Sequence, residues 1–241
     1  MPEQTQIVSL SFFRFRSVAA RTWAFTQMGL ARMAMARIPD AGFWKLFGSG
    51  TGEGFTPLPN TGVYAILCTW PDLGTARARL ADTPVFARWR GWAAENWTIL
   101  LETASVRGEW SGEAPFHASG SADGPLAALT RATIRPAKAL KFWQRAPAIS
   151  DAIGADPHVA FKIGLGEVPG FQQVTFSIWP DAASMSRFAR QGGPHHHAIK
   201  AVRAGGWFKE ELYARFRIAG EIGSWEGGSP LSGLPSTQQA A

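Results

Sequence analysis

Three of the five histidines in the chain stand side by side at positions 195–197, directly after Pro194. Proline suits the first position of a helix, because the backbone amide that it lacks would have no partner there. A helix that begins at this point places His195 above Ile199, on the face that we expect to point inward. His197 falls on a second stripe of small apolar residues, whereas His196 falls on the face that we expect to meet solvent.

An inward imidazole of this kind is a candidate iron ligand. A lone histidine cannot complete the closed ligand set of a structural zinc site, but it suffices as the proximal ligand of a haem. His195 is therefore the first candidate for a haem-iron ligand, with His197 as the second choice. The alternative is a histidine at a helix start whose ring donates to a backbone carbonyl, and the residues alone leave both interpretations open.

Two other segments invite a chemical interpretation but fail on detail. The glycine-rich stretch at 48–54 lacks both the Gly-Lys-Ser/Thr of a P-loop and the spacing G-x-G-x-x-G, so we interpret it as a loop or the rim of a pocket. Cys68 ends an apolar run typical of a strand, which predicts a buried and unreactive thiol. Because the chain has one cysteine, an internal disulfide is excluded, and we expect a reducing compartment.

The composition indicates a globular chain with many aromatic rings. Hydrophobic residues make up 46% of the 241 residues and charged residues 17%, which excludes the disordered class. Eleven Trp and sixteen Phe stand against only two Tyr. Large rings with few polar tips suit a deep core or a pocket for a flat apolar ligand.

The net charge of +6 does not by itself indicate a nucleic-acid partner. The basic residues are scattered and no nucleic-acid-binding motif accompanies them, so we predict no nucleic-acid partner. Attraction to anionic lipid headgroups explains the charge equally well. The first residues do not resemble a signal peptide, and no apolar run reaches the roughly 20 residues that span a bilayer. We therefore expect a cytoplasmic protein that at most rests on the surface of a membrane.

The segment 17–37 predicts a helix in which methionines and aromatic residues alternate with arginines. Side chains such as Trp23, Phe25 and Met28 suit a long apolar ligand, because methionine adapts its shape to what it contacts. The arginines suit a lipid surface. Ordinary packing into a core is the interpretation that we favour for this segment.

The clearest organisational feature is an internal similarity. The triplet Trp-Pro-Asp occurs at 70–72 and again at 179–181, each time after a strand-like run and before a helix-like one. Each copy later ends on a Gly-Trp turn, at 108–112 and 223–227. Upstream, residues 10–15 resemble residues 140–145, and we interpret both as strands. Because proline ends a strand and aspartate caps a helix, we interpret the triplet as architectural.

Each copy thus follows the order β-α-β-β-α-β of a ferredoxin-like unit. The sequence therefore predicts an α+β protein in which tandem ferredoxin-like βαββαβ repeats form a single-chain dimeric α+β barrel. We place the first half at 1–125, the second half with the candidate haem histidine at 126–231, and a flexible tail at 232–241.

Four stretches resemble the spheroidene monooxygenase family, the acyclic carotenoid 2-ketolases of purple photosynthetic bacteria. The resemblance runs from about residue 7 to about residue 232. It is carried by LSFFRF at 10–15, FWKL at 43–46, GSGTGEGFTP at 48–57 and GWFKEELYARF at 206–216.

The resemblance implies a haem-dependent monooxygenase of carotenoid biosynthesis. Such an enzyme oxidises C-2 of spheroidene or hydroxyspheroidene to a 2-keto product, spheroidenone, with dioxygen and with reduced ferredoxin as electron donor. On this interpretation His195 binds the iron and either Arg203 or Arg88 binds the haem propionates, and the protein contacts the intracytoplasmic membrane peripherally. The alternatives are a carotenoid- or lipid-binding barrel without redox chemistry, and a monooxygenase that needs no cofactor.

Overall fold

The computed structural model describes residues 5–52, 56, 58–120, 123–144, 156–168, 170–190 and 205–235. His195, His197 and Arg203 lie outside these residues. The strands are β1 (Ile7–Arg14), β2 (Trp44–Gly50), β3 (Pro59–Trp70), β4 (Glu95–Gly108), β5 (Leu126–Ile134), β6 (Phe161–Val168), β7 (Gln172–Trp179) and β8 (Phe208–Gly223). The helices are α1 (Val18–Met35), α2 (Leu73–Asp82), α3 (Pro84–Trp92) and α4 (Ala182–Arg190), with a 3-10 turn at Pro136–Lys138 that continues into helical residues 139–144.

The strands form a closed antiparallel barrel in the order β1-β3-β2-β6-β7-β5-β8-β4. The predicted α+β class and the barrel are therefore confirmed. The first four strands run β2-β3-β1-β4 around the barrel and the last four run β6-β7-β5-β8, which is the same relative order. The connection between β5 and β6 includes residues 145–155, which lie outside the described part of the chain, so the tandem repeat and the boundaries of the two halves stay predictions.

The barrel encloses an aromatic and aliphatic core. Side chains alternate between the two faces of a strand, so every second residue of each strand points into the barrel. Phe12 and Trp97 stack there with ring centroids 5.5 Å apart, and Phe176 packs against Phe12 from β7. Leu234, within the predicted tail, packs against this interior cluster.

Both Trp-Pro-Asp triplets join a strand to a helix, as the sequence predicts. Trp70 and Trp179 are the last residues of β3 and β7. Asp72 then accepts a hydrogen bond from the Thr75 amide at 2.8 Å, and Asp181 accepts one from the Ser184 amide at 2.6 Å. These backbone bonds hold the pKa of both aspartates below the ordinary value, because they favour the charged carboxylate at the helix start.

The two Gly-Trp turns have the same backbone conformation. Gly108 and Gly223 adopt φ of 94° and 86°, in the left-handed region that favours glycine. A Cβ at Gly108 would collide with the Glu211 carbonyl oxygen, and one at Gly223 would collide with the Asn96 carbonyl oxygen. The strands β4 and β8 can therefore approach each other at both ends of their ladder only because glycine stands there.

Two further predictions, a strand at 140–145 and a buried thiol at Cys68, have opposite outcomes. Residues 139–144 are helical, so the strand predicted at 140–145 is wrong over its described residues 140–144, and the strand that precedes this helical segment is β5. Pro136 explains the difference, because its ring nitrogen cannot donate to a ladder and it opens the 3-10 turn. Cys68, by contrast, is fully buried as predicted, and burial raises the pKa of its thiol.

Candidate functional site

The outer surface of β5–β8 carries mainly small and polar side chains at its middle, with Tyr213 on β8 and with Leu126 and Trp179 toward one end; we call this surface the second-half face. Leu129 belongs to the barrel interior, so its neighbours on β5 point outward. Thr130 lies at the centre, paired with Thr175 of β7 on one side and Tyr213 of β8 on the other. The residues around this centre are Ala128, Ala132, Gly164, Gly166, Gln173, Ser177 and Arg215.

The corresponding surface of the first four strands is filled with large side chains. Alignment of β3 with β7 on their final tryptophans places Ile66 where the second half has Thr175, and Cys68 where it has Ser177. Ile66 and Cys68 are fully buried beneath α1, α2 and α3, in a cluster that includes Trp89. The first-half surface is thus a closed core. Among the described residues, the middle of the second-half face carries short side chains on β5 and β7 and one large side chain, Tyr213, on β8.

Helix α4 covers one end of the second-half face. Met185 is buried against Leu126 and Trp179, and Phe188 packs on Trp179 with ring centroids 5.4 Å apart. The middle of the face is more open, since Ala128, Thr130 and Thr175 are only partly buried.

The predicted site residues divide into two groups. His195, His197 and Arg203 fall in the segment 191–204, outside the described residues; α4 precedes that segment and Phe208 opens β8 shortly after it. Arg88 lies on α3, over the first-half surface, where it is exposed and its Nε donates to the Pro84 carbonyl at 3.3 Å. The structure therefore places Arg88 on a different wall of the barrel from the second-half face.

A second feature adjoins this face at the seam between β2 and β6. It is a cleft of about 370 Å³, which we call the seam cleft. Glycines of both strands form its floor, and Gly48 pairs directly with Gly166 across the seam. A Cβ at Gly48 would meet nothing within 4 Å. The floor is therefore open because side chains are missing from it.

The walls of the seam cleft are mainly apolar. Phe25 and Met28 of α1 line one side and Trp143 the other, where the Trp143 Nε1 donates to the Gly170 carbonyl at 3.0 Å. Burial raises the pKa of the Tyr64 phenol, which keeps that wall neutral. Trp23 and Met28 pack partly against the first-half core, as the core interpretation predicts, whereas Phe25 and Met28 also line this cleft.

Among the described residues, Glu167 is the one charged residue that lines the seam cleft. Neighbouring cationic side chains offset its negative charge. Its carboxylate lies 3.3 Å from the Lys45 Nζ and 3.6 Å from the Arg131 Nε, and it accepts from the Trp110 Nε1 at 2.7 Å. The charge of Glu167 is thus directed toward the end of the barrel, which leaves the cleft suited to a hydrocarbon.

The seam cleft continues into the second-half face without a break in the sheet. Gly166 pairs with Gln173, and Gln173 pairs with Ala132 on the next strand. An apolar chain in the cleft can therefore extend along the sheet toward the plane around Thr130. Within the described ranges no three His, Cys, Asp or Glu side chains form a metal-binding group, and no helix is long and apolar enough to cross a bilayer.

Sequence reasoning missed the second-half face and the Trp143 wall of the cleft. The replacement of Ile66 and Cys68 by Thr175 and Ser177 was a usable signal once the two Trp-Pro-Asp triplets were aligned. The wall formed by Trp143 had no such signal, because that residue belonged to a segment interpreted as a strand.

The chain is similar to three proteins named spheroidene monooxygenase. That of Cereibacter sphaeroides is 56% identical over 229 residues, which cover 94% of this chain and 71% of the relative. That of Rhodobacter capsulatus is 50% identical over 230 residues, covering 94% and 95%, and that of Rubrivivax gelatinosus is 33% identical over 210 residues, covering 87% and 81%. No family model matches the chain.

Two crystal structures of aldoxime dehydratase share the fold. One has a TM-score of 0.62 at 11% identity, covering 97% of this chain and 88% of that one. The other, a complex with butyraldoxime, has a TM-score of 0.61 at 11% identity and covers 90% and 81%. Identities this low indicate a shared architecture and carry no argument about activity.

Proposed function

The chain belongs to the spheroidene monooxygenase family, and on that premise we propose that it is a carotenoid monooxygenase that oxidises C-2 of spheroidene or hydroxyspheroidene to the 2-keto product. Dioxygen is the oxidant and reduced ferredoxin the electron donor in this proposal. The observation that carries it is the similarity to relatives named spheroidene monooxygenase. The seam cleft, an apolar groove with a glycine floor, supports a long apolar substrate.

The second-half face fits a haem on steric grounds. Four neighbouring strands about 4.8 Å apart form a plane about 14 Å wide, which suits a flat macrocycle. The central side chains of β5 and β7, Thr130, Thr175 and Ser177, are short, so a planar group can lie parallel to these strands, with Tyr213 of β8 at its border. The first-half surface offers no such room, because Ile66 and Cys68 are buried under helices.

The position of His195 in the chain supports its role as the iron ligand in this proposal. The segment 191–204 is held at both ends by elements of the second half, since α4 ends at Arg190 and β8 begins at Phe208. His197 stays the second choice, because it lies two residues further along.

In this proposal the protein's own residues bind, orient and exclude water. His195 would hold the iron, and the haem would supply the activation of dioxygen. Arg203, five residues before β8, would bind a propionate, as would the exposed Arg215 beside Ala128. Phe25, Met28 and Trp143 would hold the polyene on the glycine floor, so that its end projects over the second-half face.

We also infer that the two halves are copies of one βαββαβ unit. The shared strand order and the paired Gly-Trp turns support this inference. Divergence of the outer surfaces would then explain why one chain carries a single haem site. The first copy filled its surface with Ile66 and Trp89, and the second copy kept small residues.

The test compares absorption spectra and turnover after haem supplementation. Wild type, His195→Ala and His197→Ala are measured side by side, and activity is assayed with spheroidene, dioxygen and reduced ferredoxin. We expect a Soret band and a keto product in the wild type, with both lost in His195→Ala. Loss only in His197→Ala would move the ligand by two residues.

The absence of a Soret band from every preparation would overturn the haem proposal, and turnover would then identify a monooxygenase that needs no cofactor.

A carotenoid-binding protein without redox chemistry is the second candidate, because the seam cleft by itself suits a polyene. Such a protein would bind spheroidene equally well before and after His195→Ala and would form no product.

A further inference from the structure

The outward side of α1 carries a stripe of exposed apolar side chains, interspersed with the exposed Thr22, Thr26 and Gly29. Val18 is 80% exposed, Phe25 68%, Leu30 64% and Met33 68%, although each is larger than the residues that soluble helices usually present to water. The opposite side of the same helix is an ordinary buried face, with Ala24 and Met35 fully covered. The helix therefore has two apolar sides, and only one of them packs against the barrel.

The charged residues of α1 and of the chain directly flanking it are all positive. Arg16, Arg21, Arg32 and Arg37 are exposed, and residues 16–39 contain no aspartate or glutamate. The next acidic residue, Asp40, is paired with Arg79 at 2.6 Å, so it does not offset these arginines. Exposed apolar side chains whose charged neighbours on the same helix are all arginines are typical of a helix that lies in the headgroup region of a bilayer.

We propose that this side of α1 docks the protein on an anionic lipid surface. Phe25, Leu30 and Met33 would enter the boundary of the acyl chains, while the long arginine side chains would reach the headgroup phosphates. Charge complementarity favours lipid over a protein partner, because a membrane offers a dense layer of phosphates to a helix without acidic residues.

The docked orientation would also open the seam cleft to the membrane. Phe25 belongs both to the exposed stripe and to the wall of the cleft. A long apolar molecule could then pass from the bilayer along Phe25 and Met28 without crossing water. This last step rests on the proposed function, whereas the docking itself does not.

The experiment is flotation of the full chain with phosphatidylcholine vesicles, prepared with and without phosphatidylglycerol. The test variant is Leu30→Glu/Met33→Glu, which leaves the cleft residues untouched. Its matched control is Lys209→Gln/Ile222→Glu, which changes the net charge by the same amount at exposed positions of β8. Circular dichroism of each variant identifies any loss of fold.

We expect the wild type and the control to float with the phosphatidylglycerol vesicles. The α1 variant should bind at least about ten-fold more weakly, because two apolar side chains no longer enter the lipid. Equal flotation of a folded α1 variant and the wild type would overturn the proposal, as would equal binding to neutral and anionic vesicles. Turnover of spheroidene in detergent micelles tests the proposed function separately, and the α1 variant should keep it.

Discussion

Filling the floor of the seam cleft is the sharpest test of where the polyene binds. Gly48 lies on that floor, its backbone needs no left-handed conformation, and a Cβ there meets nothing within 4 Å. The substitution Gly48→Phe is therefore expected to preserve the barrel, because a strand accepts an aromatic residue readily. The phenyl ring would instead occupy space in the cleft of about 370 Å³.

The expected loss of affinity follows from the hydrocarbon that the ring displaces. Burial is worth about 0.8 kcal/mol per carbon, so keeping three carbons of the polyene off the floor costs about 2.4 kcal/mol, or about 60-fold in KM. The maximum rate at saturating substrate should change much less, because the ring lies away from the second-half face. The assay is steady-state oxidation of spheroidene in micelles by the haem-supplemented protein.

Gly91→Phe is the matched control for this substitution. Gly91 is an exposed residue of α3 that also has open space at its Cβ position, and it lies outside the cleft. We expect its KM to equal that of the wild type. If Gly48→Phe keeps the wild-type KM with an unchanged Soret band and melting temperature, the seam cleft is not the binding site and the reasoning from its glycine floor is wrong.

Three further predictions follow from particular contacts. Thr175→Phe, which restores a large side chain at the position of Ile66, should abolish the Soret band while circular dichroism still reports the barrel; an unchanged band would contradict haem binding at the second-half face. Gly223→Ala should destabilise the protein by more than about 2 kcal/mol in urea unfolding, because its Cβ collides with the Asn96 carbonyl. Gly227→Ala, with a φ of 83° but open space, should cost only about 1 kcal/mol, and equal losses would refute the collision. Burial opposes ionisation of Glu95 and Glu210, yet amides of the two Gly-Trp turns and the arginines Arg14 and Arg131 hold the pKa of both below 4.5. Their contribution to the free energy of unfolding is therefore complete above pH 4.5 and is lost as the pH falls through the lower pKa values of the folded state. Glu210→Gln should therefore weaken the decrease of the unfolding free energy at acidic pH. An unchanged decrease would exclude Glu210 as its cause.

The sequence by itself determined the features that depend on local chemistry. Proline after Trp70 and Trp179 cannot donate to a ladder, and the aspartate that follows accepts amides at a helix start, so the strand ends and helix starts were readable. The Gly-Trp turns were equally readable, because only glycine adopts the φ that Gly108 and Gly223 require. The apolar strand around Cys68 predicted a buried thiol for the same local reason.

Only the tertiary structure decided which surfaces lie together. The seam cleft depends on the pairing of Gly48 with Gly166, two residues more than a hundred positions apart whose contact exists only because the barrel closes. The exposure of the second-half face depends on which elements pack over it. The residue types at Thr130 and Thr175 do not reveal which elements those are. Residues that are neighbours in the sequence determine where a strand ends. The burial of a side chain depends on which distant elements pack over it, and that packing is driven by the apolar surface of the chain as a whole.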